Sequence, residues 1–249
     1  MLPDKQKMVS AAVAHAAAVL KRSLAARQNV ILIAATGVSQ LAFLEQLIHN
    51  YTLEWARIEV FHLDEYVGLG IDHPASFARY IRDKLVLPAG VQHYHLLDGL
   101  GDTTLSLAQI NDALRGRHVD LALVGIGENA HLAFNDPPAD FDTEDPYLLV
   151  HLDQACRLQQ VGEGWFAGLE EVPKTALSMS IKQILKSDEI ICIASDLRKS
   201  KAVAATIDGP VTPWVPASIL QTHPRATMFI DPAAGSLLKH TLSPSASKA

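Results

Sequence analysis

The chain has 249 residues, 49% of them hydrophobic and 19% charged, and carries a net charge of −6. That length and apolar content suffice for one large α/β core, so a single domain over 1–249 is expected. The acidic balance speaks against a non-specific binder of nucleic acid or anionic membrane, while leaving room for a local basic pocket that takes a phosphate.

Asp4 is placed to cap a first helix with an apolar stripe of Met8, Ala12, Ala16, Leu20 and Leu24. Asp4, Lys5 and Lys7 mix their signs ahead of it and no small-residue cleavage site follows, which argues against a secretory signal. No apolar run reaches the length of a membrane span. The two cysteines, Cys156 and Cys192, stand far apart with no CxxC spacing, so buried free thiols are expected and structural zinc is not. Together these features imply a cytoplasmic protein.

The first helix should fade near Asn29, and Val30 to Ala35 (VILIAA) reads as a buried parallel strand. It runs into Thr36-Gly37-Val38-Ser39 and then a helix marked by Leu41, Leu44, Leu47 and Ile48. Strand, Thr-Gly-x-Ser, helix suits a phosphate, because first-turn amides and hydroxyls can all donate to it. Many strand-to-helix turns carry Gly and Ser for no such purpose. Ile58 and Val60 mark the next strand, which ends in Asp64-Glu65-Tyr66. Ligands in open α/β sheets bind beyond strand carboxyl ends, so Asp64 is well placed for chemistry. Adjacent acids point apart, and only one of the two is expected to face a site.

A helical stretch follows His73-Pro74 and ends near Leu87-Pro88; His93 and His95 then share a strand face without acidic or cysteine partners at metal spacing. Leu107 to Leu114 is a helix leading to the strand Leu121–Val124. After that strand comes GIGENAHLAFNDPP, Gly125 to Pro138. Its glycines permit a tight turn or close ligand approach. His131 stands among Glu128, Asn129 and Asp136, and an imidazole beside carboxyl and amide groups is suited to proton transfer near neutral pH. A buried, hydrogen-bonded structural histidine is the alternative. Tyr147–His151 reads as a strand, and 153–168 as a polar segment that is either a lid or an ordinary helix and loop. Pro173–Ser180 precedes a helix over Ile181–Leu185. Glu189–Ala194 is a strand, and Ser195–Lys201 opens a cation-bearing helix in which Lys201 can reach an anion while Arg198 and Lys199 are solvated. Ala217–Gln221 reads as a helix, Ala226–Ile230 as the last strand, and Ser236–Ala249 as a frayed tail. Alternating strands and helices imply a doubly wound, mostly parallel sheet with helices on both faces.

TGVS (36–39), LDEYVGL (63–69) with HPASF, GIGENAHLAFNDPP, VPKTALSMSI, SKA (200–202) and PASILQTHPRATMFID occur in one order across nearly the whole chain. Together they resemble the glucosamine-6-phosphate deaminase (isomerase) and 6-phosphogluconolactonase superfamily, and LDEYVGL with HLAFNDP resembles the deaminase branch. The resemblance implies a modified Rossmann-like fold, a sugar phosphate as small-molecule partner, and no metal or organic cofactor. The implied reaction opens the ring of glucosamine 6-phosphate, or a close epimer such as galactosamine 6-phosphate, isomerises aldose to ketose and releases ammonia. By position, Asp64 would shuttle a proton between C1 and C2, His131 would assist ring opening with Asp136 behind it, and Thr36, Gly37, Ser39 and Lys201 would hold the phosphate.

Several positions depart from the family pattern. Asn129 stands where the deaminases have an acid, and Ala130 where they have a glycine; Asn129 is expected to fix the imidazole tautomer, or Glu128 to substitute for the missing charge. The phosphate-binding arginine is replaced near Gln159 or Gln160. The basic residues for an activating N-acetyl sugar phosphate are missing from TEDPYLL, so that allostery is not expected. A lactonase-like hydrolase and a non-catalytic phosphosugar sensor are the competing readings, and either a monomer or a homo-oligomer fits.

Overall fold

The computed structural model describes Leu2 and residues 4–239, so of the tail expected from Ser236 on, residues 240–249 lie outside the described residues. Asp4 accepts a hydrogen bond from the Lys7 amide and caps α1 (Lys5–Ala26), whose apolar stripe is buried as the spacing requires. β1 (Val30–Ala34) is buried at every residue, which is how a strand covered on both faces reads. The chain continues through α2 (Val38–Asn50), β2 (Ile58–His62), β3 (Asp64–Tyr66) and α3 (Phe77–Ile81). A π-helical stretch (Arg82–Val86) leads to α4 (Leu87–Ala89), β4 (His93–His95), α5 (Thr103–Leu114) and β5 (Val119–Val124). Then come β6 (Tyr147–His151), α6 (Gln154–Gly162), β7 (Thr175–Met179), α7 (Ile181–Leu185), β8 (Ser187–Ala194), α8 (Ser200–Asp208) and β9 (Ala226–Ile230).

Six strands form the main sheet in the order β4-β2-β1-β5-β8-β9, and every neighbouring pair is parallel. Counted among themselves they run 3-2-1-4-5-6, the doubly wound order, with the direction of winding reversing between β1 and β5. Alternate residues feed two cores. Leu32, Val60, Leu121 and Leu123 meet α1 and α2 through Met8, Leu20, Phe43 and Leu47. Ile33, Ala122, Val124 and Cys192 face the other way, onto Ile110, Leu114, Ile181 and Ile184. Both cysteines are buried free thiols. Among the described residues no helix is long and apolar enough to cross a membrane.

A second sheet of three antiparallel strands, β3-β7-β6, packs on that face and was not expected from the sequence. Its strands are short and hold buried polar residues where a strand pattern wants apolar ones. Ser178 in β7 is spent on the loop after β5: its hydroxyl accepts from the Phe134 amide at 3.0 Å and from Asn135 Nδ2 at 3.3 Å. Asp64 and Glu65 make up two thirds of β3. The small sheet thereby fixes the height at which Asp64 and the His131 loop meet the main sheet.

Candidate active site

The carboxyl ends of β1, β5 and β8 converge on a cleft of about 830 Å³, counting the part open to solvent. Asp64 and His131 both line it. Asp64 and Glu65 do point apart. Glu65 accepts hydrogen bonds from the Ser76 hydroxyl (2.7 Å) and from the amides of Tyr66 (2.8 Å), Phe77 (3.2 Å) and Ala78 (2.7 Å), so it closes the amino end of α3. Asp64 is 5% exposed, and its Oδ1 is buried with no partner. Burial, and secondarily the neighbouring Glu65, push its carboxyl up to about 8. A buried acceptor left without a donor beside a cleft is explained when a ligand supplies the missing group.

The loop after β5 is drawn tight around His131. Gly127 donates its amide to the His131 carbonyl at 3.0 Å, and Ala130 donates back to the Gly127 carbonyl at 3.0 Å. Ala130 (φ 68°) and Ala133 (φ 51°) adopt left-handed backbone, a conformation that favours glycine. The backbone at Ala130 thus explains the glycine of the family pattern. His131 Nδ1 lies 3.0 Å from Asp136 Oδ1. An ionised carboxylate only accepts, so Nδ1 carries the proton and Nε2 remains as the base. Asp136 is fixed in turn by Asn129 Nδ2 (2.9 Å) and the Asp153 amide (2.8 Å). Burial raises the Asp136 carboxyl, but the hydrogen bonds from His131, Asn129 and Asp153 outweigh it and hold the group below its usual range.

Two expectations about this loop are corrected. Asn129 does not touch the imidazole; its Oδ1 accepts from the His131 backbone amide at 3.1 Å, and its Nδ2 bridges Asp136 and Asp153. Glu128 does not replace the missing charge either. Its carboxylate lies 3.6 Å from Arg198 Nη1, and it is absent from the cleft wall. The imidazole nitrogen Nδ1 is held by Asp136 instead.

Thr36, Gly37, Ser39 and Ser195 line the same cleft. Gly37 (φ 108°) precedes α2 without a side-chain cap; the Gln40 amide donates to the Gly37 carbonyl at 3.0 Å, and the first-turn amides ahead of it face where an anion can sit. The Ser39 and Ser195 hydroxyls stand 3.2 Å apart. The structure does not bring Lys201 here: it is exposed, and it is absent from the cleft wall. Lys199, read from sequence as solvated, lines the cleft with its side chain 10% exposed. A 3₁₀ turn over Leu197–Lys199 precedes α8, and residues two apart in a helix point about 200° from one another, so only one lysine can face inward. Arg198, also read as solvated, stands at the rim. The polar segment after β6 is the helix α6, and it brings Gln159, Gln160 and Glu163 into the wall. Asp153 and Glu163 have no signal in the sequence, since an acid at a helix start or end is ordinary.

One ligand atom each of His131, Asp136 and Cys156 lies within 4.8 Å of the others. Metal binding requires thiolate, and burial, followed by the charges of Asp136 and Asp153, pushes the Cys156 thiol well above its usual range. The group is built as a hydrogen-bonded relay.

A cleft at the carboxyl ends of parallel strands, where the winding reverses, is where doubly wound enzymes hold small substrates. By fold and cleft the chain is an α/β enzyme of that class. A family model described as "Glucosamine-6-phosphate isomerases/6-phosphogluconolactonase" matches residues 3–229, and the chain belongs to this family. It is 37% identical over 206 residues to a glucosamine-6-phosphate deaminase of Streptococcus pneumoniae, covering 82% of this chain and 86% of that one. The solved structure of a monomeric glucosamine-6-phosphate deaminase superposes with a TM-score of 0.84 at 29% identity, covering 95% of this chain and 98% of that one. A 6-phosphogluconolactonase from Thermotoga maritima has a TM-score of 0.76 at 17% identity, covering 92% and 97%, and shows the shared fold alone.

Proposed function

We propose that the chain is an amino-sugar phosphate deaminase and isomerase, acting on glucosamine 6-phosphate or a close epimer. The observation that carries this reading is the convergence of Asp64 and His131 on one cleft that is also lined by the uncapped amino terminus of α2. The 37% identity to a deaminase favours the same chemistry. Lactone hydrolysis would use an imidazole-activated water and leave Asp64 without a task. A sensor that only binds would not need a carboxyl whose proton leaves near neutral pH.

In this reading the phosphate sits against the α2 amides, Thr36, Gly37, Ser39 and Lys199, and its binding energy holds the sugar in register. His131 Nε2 takes the proton of the anomeric hydroxyl and returns one to the ring oxygen, which opens the ring. Asp136 steadies the imidazolium, and Glu128 and Asn129 act only through the loop. Asp64 removes the C2 proton as O1 takes one from water, giving an enolamine, and delivers a proton to C1 as the nitrogen gives one up to water. The resulting ketimine at C2 is hydrolysed by water to the ketose 6-phosphate and ammonia. The raised basicity of Asp64 matches it to a weakly acidic C–H, because a general base works best with its pKa near the working pH. We further infer one domain spanning the chain and a cytoplasmic setting, supported by the buried free thiols.

A screen of hexosamine 6-phosphates for ammonia release, with exchange of the C2 proton in heavy water, tests the reading. Ammonia and exchange from an amino sugar phosphate are expected. Exchange with no ammonia, or opening of 6-phosphogluconolactone alone, would displace it.

A further inference from the structure

Glu163 is a buried acid in the cleft that the reaction above leaves unused. It follows directly on α6, and its side chain is 10% exposed. Oε1 accepts from Gln159 Nε2 at 2.8 Å and Oε2 from Trp165 Nε1 at 3.3 Å, so its position is fixed from two sides. Lys199 Nζ stands 3.8 Å from Oε1, and Glu163 is its one ionic partner among the described residues. Burial holds the Lys199 ammonium below its usual range, with Glu163 and then Glu128 offsetting part of that.

A carboxylate in this place is unfavourable for plain anion binding. A phosphate against α2 would share Lys199 with Glu163 and feel its charge through a poorly screened, partly dry cleft. A neutral sugar cannot draw a buried ammonium away from a carboxylate, whereas a dianion can. We propose that Glu163 is a positioning residue, which holds Lys199 against the cleft wall until a dianionic phosphate draws it away. Affinity for the phosphosugar is lowered by the cost of parting the pair, while a sugar without a phosphate leaves the pair as it is and gains nothing from Lys199. The inference rests on the placement of the phosphate proposed above.

Calorimetric titration of inorganic phosphate into the full-length protein and its Glu163→Gln variant tests it, because neither measurement needs turnover. Glutamine keeps the shape and one acceptor and removes the charge. The dissociation constant of phosphate should fall by about fivefold or more in the variant, the fold-change of roughly 1 kcal/mol. KM for the hexosamine 6-phosphate should fall alongside it, with kcat little changed. Equal or weaker phosphate binding in the folded variant overturns the role of Glu163 and leaves the deaminase reading intact. Tighter phosphate binding with no ammonia from any hexosamine 6-phosphate sinks the deaminase reading and keeps the role. Phosphate binding to neither protein overturns both. If Glu163→Gln does not fold, Glu163→Ala serves the same comparison.

Discussion

Two neighbouring carboxyls divide the work at the cleft according to what each is bonded to. Glu65 is consumed by hydroxyl and amide donors at the start of α3, while Asp64 keeps a free oxygen. Replacing Asp64 by Asn should lower kcat for ammonia release by about 10²–10⁴-fold, the usual contribution of a positioned base, with KM little moved. A drop in KM-dependent binding at full kcat would remove Asp64 from that role. Asn129 shows how a residue can look deficient in sequence and be required in structure. Its amide donates to both Asp136 and Asp153, so an aspartate there would set three carboxylates together. Asn129→Asp should therefore destabilise the protein by about 1–3 kcal/mol above pH 5 and reduce turnover. A gain in ring opening would instead show that the relay lacks charge. Asp64 and His131 were legible because their types and positions carry the chemistry in the motif itself. Lys199 and Glu163 were not, because the decision between a buried and a solvated charge is made by the turn that precedes α8 and by the packing of α6, neither of which has a local pattern.

At the scale of elements, the parallel strands and their helices were legible from apolar runs and caps, down to Asp4 at α1 and Ala226–Ile230 as β9. The small sheet was not, since β3 and β7 spend polar side chains on the site and so hide the alternation that marks a strand. The loop after β5 shows what its glycines do. A Cβ on Gly127 would collide with the His131 ring, so Gly127→Ala should push the imidazole off Asp136 and cost about 10²-fold in turnover, with the fold retained by circular dichroism. Full activity in that variant would mean the ring has room elsewhere. The start of α8 gives a paired comparison. Lys199→Ala should raise KM for the phosphosugar about tenfold or more, while Lys201→Ala should leave it within about twofold, since an exposed lysine loses little on removal. The reverse ranking would restore Lys201 to the phosphate.

Across the whole molecule, function leaves a signature in stability, because two groups at the join of the two sheets are buried against their charge preference. His62 ends β2; it is fully buried, its Nε2 has no partner, and burial holds it down to about 3. Asp64, two residues on, is pushed up to about 8 by burial and by Glu65. The signs follow from proton counting. Below its usual pKa of 6.5 the unfolded His62 binds a proton that the folded form refuses, so stability falls as pH drops from 6.5 towards 3. Above 3.8 the folded Asp64 keeps a proton that the unfolded form has lost, so stability falls as pH rises from 3.8 towards 8. Between 3.8 and 6.5 the two contributions oppose and nearly cancel; from 6.5 to 8 only the Asp64 loss remains. Urea unfolding across pH 3–9 should accordingly show Asp64→Asn gaining on the wild type with rising pH, by up to about 1.4 kcal/mol per pH unit, and levelling off past pH 8. His62→Gln should gain on it in the opposite direction, below pH 6.5. Curves that stay parallel would mean that Asp64 is ionised in the folded protein at no cost, and the cleft would then hold an ordinary solvated carboxylate in place of a base kept ready by burial.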